Sequence, residues 1–78
     1  MSRKLFDRLD RLDGLIRMKA TGRPAVLAAR LDISESTLYE FINLMKDLGA
    51  PIKWDAYRSS YVYEPEGRME VKFSKKIA

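Results

Sequence analysis

The apolar residues of this chain repeat at the helical period as far as residue 48 and at the strand period after residue 51, with Gly49-Ala50-Pro51 between the two regimes. Side chains three or four apart share a helix face, whereas side chains two apart share a strand face. The change of period therefore sets the class: helices first, then a hairpin, an α+β chain. Seventy-eight residues suit one small domain with a limited core.

Leu5, Leu9, Leu12 and Ile16, widened by Phe6 and Leu15, predict an amphipathic helix over residues 3–19, closed by Thr21-Gly22. Pro24 suits a first helical turn, and "PAVLAARL" predicts a second helix over 24–31 that offers Val26, Leu27, Ala28 and Leu31 to the core. Asp32-Ile33 makes a tight connection. Ser34 is a good N-cap for a third helix over 34–48, and Glu35 suits the positive end of its dipole. At 100° per residue, Leu38, Phe41, Ile42, Met45 and Leu48 fall on one side of that helix, with Leu44 at its edge. Ser36, Glu40, Asn43 and Asp47 fall opposite, flanked by Tyr39.

Beyond Pro51, Ile52 and Trp54 alternate with Lys53 and Asp55, and Tyr61 and Tyr63 alternate with Val62 and Glu64. This pattern predicts strands over 52–57 and 61–64 around a tip near residues 57–60, with Trp54, Tyr61 and Tyr63 covering the core. "RMEVKF" alternates as well, which predicts an additional C-terminal strand over 68–73. Its edge is the expected route to a homodimer.

The chain has no cysteine and no histidine, so disulfides, thiolate metal sites and the usual neutral-pH base are excluded. No spaced set of other catalytic side chains stands out, and neither an enzyme nor a cofactor is expected. No apolar run reaches membrane-spanning length, and no small-molecule site is evident; a cytoplasmic protein is the expectation. Residues 1–30 hold eight Lys/Arg against three Asp, residues 31–50 one against four acids, and residues 51–78 six against four. Basic flanks around an acidic centre suit a polyanion held from the sides.

"LDRLDGLIRMK", "GRPAVLAARLDIS", "STLY", "LGAPI" and a hairpin ending in "YVY" follow in that order. In this the chain resembles, over residues 5–63, the winged helix-turn-helix domain of bacterial sugar-operon repressors and of regulators that carry a WYL domain. The resemblance implies transcriptional regulation by double-stranded DNA binding without a ligand domain. Ser34, Thr37 and Tyr39 match positions where such domains meet phosphate and the major groove. Glu35, Ser36 and Glu40 depart from positions that are often basic, Phe41 from one that is commonly polar, and Ser59-Ser60 from a usual Gly-Gly wing turn.

The candidate DNA-contacting residues divide by chemistry. Ser36, Thr37, Tyr39, Glu40 and Asn43 suit base edges or phosphate, since Asn pairs with adenine and Glu accepts from the cytosine amino group. Arg23, Lys53 and Arg58 suit phosphate. A different class of function, a winged-helix module that docks another protein through Tyr39, Glu40, Phe41 and Asp47, is the alternative that the acidic third helix suggests.

Overall fold

A computed structural model of the chain describes residues 2–64. Three helices, α1 (Ser2–Arg17), α2 (Pro24–Leu31) and α3 (Glu35–Asp47), precede an antiparallel hairpin of β1 (Ile52–Asp55) and β2 (Ser60–Tyr63), a winged-helix layout. The expected strand over 68–73, and with it the expected dimer edge, lies outside the described residues.

Each helix is closed by the same device, a left-handed residue followed by two backward hydrogen bonds. At α1 the residue is Lys19 (φ 58°), and the N–H groups of Lys19 and Ala20 donate to the carbonyls of Ile16 and Leu15 at 3.0 Å each. At α2 it is Asp32 (φ 59°), with Asp32 donating to Ala29 and Ile33 to Ala28. At α3 it is Gly49 (φ 104°), with Gly49 donating to Lys46 and Ala50 to Met45. Glycine marks only the last of these ends. The first helix accordingly stops at Arg17 and not at 19, and Thr21-Gly22 is free to serve the connection to α2.

Every helix contributes one narrow stripe to a single core: Leu9, Leu12 and Ile16, then Leu27, Ala28 and Leu31, then Leu38, Ile42 and Met45. Ala50, Ile52 and Tyr63 close it from the hairpin side. Four expected core residues of the helices fall outside, among them Leu5, 36% exposed near the start of α1. Val26 is 47% exposed, because its position is rotated away from the Leu27–Leu31 stripe and it lies over Gly22 instead. Leu48 is the exposed C-cap of α3, and Phe6 sits on the flank of α1.

The hairpin pairs Ile52 with Tyr63, Lys53 with Val62, Trp54 with Tyr61 and Asp55 with Ser60. Its strands are shorter than expected at the tip: Ser60 belongs to β2, and the turn is Ala56–Ser59 with Ser59 left-handed at φ 51°. Ser60 is buried against Thr21. The Thr21 N–H donates to Ser60 Oγ (3.0 Å), the Tyr61 N–H donates to Thr21 Oγ1 (2.9 Å), and the two hydroxyl oxygens lie 3.1 Å apart. The α1–α2 connection thus gives β2 a partner of the kind an adjacent strand would supply. Nearer the other end of β2, the Tyr63 hydroxyl donates to Asp13 Oδ1 at 2.6 Å, while Arg17 donates to Asp13 Oδ2 at 2.7 Å. Burial raises the Tyr63 phenol above its ordinary range, the hydrogen bond and charge of Asp13 raise it further, and Arg17 opposes.

Thr21→Val keeps the shape but removes the acceptor for the Tyr61 N–H; urea denaturation should show a loss of about 2 kcal/mol. The fold favours the protonated form of Tyr63. Its contribution is therefore complete below the ordinary phenol pKa of about 10 and is lost as pH rises above it. Alkaline unfolding followed by circular dichroism should shift to higher pH relative to neutral stability in Tyr63→Phe.

Candidate nucleic-acid interface

The start of α3 is fastened by its first residues. Ser34 has an extended backbone (φ −79°, ψ 163°), and its Oγ accepts from the Thr37 N–H at 3.1 Å. The Ser34 hydroxyl also lies 3.0 Å from Thr37 Oγ1, to which it donates. Both side chains are thereby engaged in the cap, which fixes the direction in which the helix leaves the turn. Beyond the cap, Ser36, Tyr39, Glu40 and Asn43 are exposed along one side of α3.

Tyr39 brings that side toward the hairpin. The Tyr61 phenol is raised by its own partial burial first and by nearby Tyr39 second. Trp54 meets Tyr61 edge to face, with ring centroids 5.0 Å apart and planes at 71°. Trp54 is 41% exposed, so it does not seal the core as its alternation predicts. The hairpin reaches past the helices at this point, and Tyr61 is all that Trp54's ring finds to stack against among the ring contacts of the described residues.

At the tip, Asp55 Oδ1 accepts from the N–H groups of Tyr57 (3.0 Å) and Arg58 (3.2 Å), and Asp55 Oδ2 lies 3.4 Å from Arg58 Nε. One carboxylate thus shapes the turn and orients its cation. Asp55 is not among the expected site residues, although an aspartate directly ahead of a turn, able to accept from the N–H two residues on, is a recognisable signal. Lys53 Nζ pairs with Glu64 Oε1 at 3.4 Å on the outer face. Arg23 occupies the N-cap position of α2 without a side-chain cap bond and is exposed. Arg30, not singled out in the sequence either, is also exposed and donates from Nη1 to the Ala20 carbonyl at 3.1 Å.

The residues therefore fall into separate groups. Ser36, Tyr39, Glu40 and Asn43 share the α3 surface, Lys53 and Arg58 lie on the hairpin beside acids, and Arg23 stands at the head of α2. The outward side of α3 carries Glu35, Glu40 and Asp47, with Lys46 as its one cation. Among the described residues no group of acids is arranged to hold a metal ion, and no helix is long and apolar enough to cross a membrane.

Ser34→Ala should cost about 1 kcal/mol in thermal or chemical unfolding and leave Tyr63 burial unchanged, since the cap serves α3 alone. Compared with protein-family models, with characterised proteins and with solved structures, the chain matches none.

Proposed function

We propose that this protein binds double-stranded DNA as a winged helix-turn-helix regulator of the bacterial type, working in the cytoplasm and without catalysis. The observation that carries this reading is the exposed polar side of a firmly capped α3, followed in the chain by a hairpin whose tip presents an oriented arginine. In this arrangement α3 enters the major groove and the hairpin touches the adjacent backbone. Ser36, Tyr39, Glu40 and Asn43 meet base edges, and Arg23, Lys53 and Arg58 hold phosphate, with Ser34 and Thr37 setting the angle of approach.

The acids on α3 oppose the approach of phosphate, each by about 1 kcal/mol or less at physiological salt. Lys53 and Arg58, both exposed, can leave their carboxylates for phosphate at small cost, because such surface pairs contribute about 0–1 kcal/mol. Affinity in this reading comes from the flanks and selectivity from α3. A second reading, a module that docks another protein through Tyr39, Glu40, Phe41 and Asp47, is favoured by the acidity of α3 and by exposed Leu44 and Leu48 beside those residues.

Titration against duplex DNA at several salt concentrations separates the two. Under the DNA reading the association constant falls steeply with salt, and Arg23→Ala and Arg58→Ala each reduce the slope of log K against log salt by about 1. No association at low salt would leave the protein-docking module as the reading.

A further inference from the structure

Opposite charges find each other inside this chain at Asp13–Arg17, Lys53–Glu64 and Asp55–Arg58. Two helix surfaces depart from this habit. On α2, exposed Val26 and Arg30 lie four apart on one side of the helix, and exposed Arg23 stands at the N-cap just ahead of them. On α3, Glu40, Leu44 and Asp47 are exposed with a spacing of four and three. Neither set has an ion-pair partner among the described residues; Arg30's one contact is the Ala20 carbonyl. Each set puts an apolar residue between two like charges in the sequence, and on α3 Glu40 and Asp47 lie about 10.5 Å apart along the axis. Val26 is 47% and Leu44 40% exposed, whereas Leu27 and Leu31 of α2 and Leu38 of α3 are buried.

We propose that the occupant of each stripe is the other stripe on a second copy of this chain: Arg23–Val26–Arg30 of one molecule lies along Glu40–Leu44–Asp47 of the next. The two arginines meet the two carboxylates, and Val26 and Leu44 cover each other between them. Because both ends of a stripe carry the same sign, the match holds in either helix direction. Exposed Ala25 and Ala29 add little bulk beside Val26, and exposed Leu48 extends the apolar edge beside Leu44. Close helix packing, with axes about 8–10 Å apart, is therefore open to this pair.

The contact joins different surfaces of the two molecules. It is head to tail, and it leaves a free stripe at each end for a further copy. It also covers the side of α3 that duplex DNA would occupy, so a copy engaged in it is not available to the groove. The contact does not depend on DNA binding, and its test contains no nucleic acid.

Sedimentation velocity at low salt should show the weight-average mass rising above 9.0 kDa as protein concentration is raised. It should return to the monomer value at about 1 M salt, where charge attraction is screened within about 3 Å. A variant with Arg23→Glu and Arg30→Glu, and another with Glu40→Lys and Asp47→Lys, should each remain monomeric alone. Mixed in equal amounts they should associate, because each then presents the stripe that the other's reversed stripe requires. The near-isosteric pair Glu40→Gln and Asp47→Asn should weaken association about tenfold without disturbing circular dichroism. A wild-type chain that stays monomeric at millimolar concentration and low salt overturns the proposal. So does association that survives in either charge-reversed variant, or a mixture of folded variants that fails to associate.

Discussion

Thr21 and Ser60 are buried hydroxyl residues from distant parts of the chain, and each accepts a backbone N–H from the segment carrying the other. A hairpin of two short strands has little stability of its own in water. It holds its place because β2 is tied to the helices at both ends, through Thr21 at Ser60-Tyr61 and through Asp13 at Tyr63. Without these polar joins Ile52 and Tyr63 alone would anchor the hairpin to the core, and apolar contact does not select one orientation.

The charge of the chain is divided among its elements. Arg23 and Arg30 belong to α2, the outward side of α3 is mainly acidic, and the hairpin pairs its cations with Asp55 and Glu64. The proposed duplex binding and the proposed head-to-tail association make different uses of this division. The first would hold a polyanion through the flanks despite α3, whereas the second would give the α3 acids arginines as partners; both proposals draw on one helix surface.

Much of the fold was legible because the patterns that form it are local. The stripes of α1, α2 and α3, the Ser34 cap, the Gly49 stop and the hairpin after Pro51 all depend on residues close in sequence or on a simple period. The misjudged positions depend on distant neighbours. Lys19 takes a left-handed backbone that its side chain does not advertise, so the end of α1 was placed too late. Trp54 keeps the correct strand face but lies where the core has run out. Ser60 reads as a turn residue and is buried because Thr21 meets it across the fold. In the candidate site, the exposed side of α3 was readable from helical periodicity, while the organising role of Asp55 needed the geometry of the turn.

The sequence by itself determined that three helices precede a hairpin, where the apolar stripe of each helix runs, and that α3 presents more acid than base. These are consequences of spacing and composition, and they hold wherever the elements are placed. The tertiary structure decided how much of each stripe the core covers, which polar residues are interior, that Arg58 is held by Asp55 at the tip, and that the exposed charges of α2 and α3 have no ion-pair partner among the described residues. Such facts depend on which side chains meet across long separations, and a one-dimensional pattern of hydropathy and charge does not contain that information.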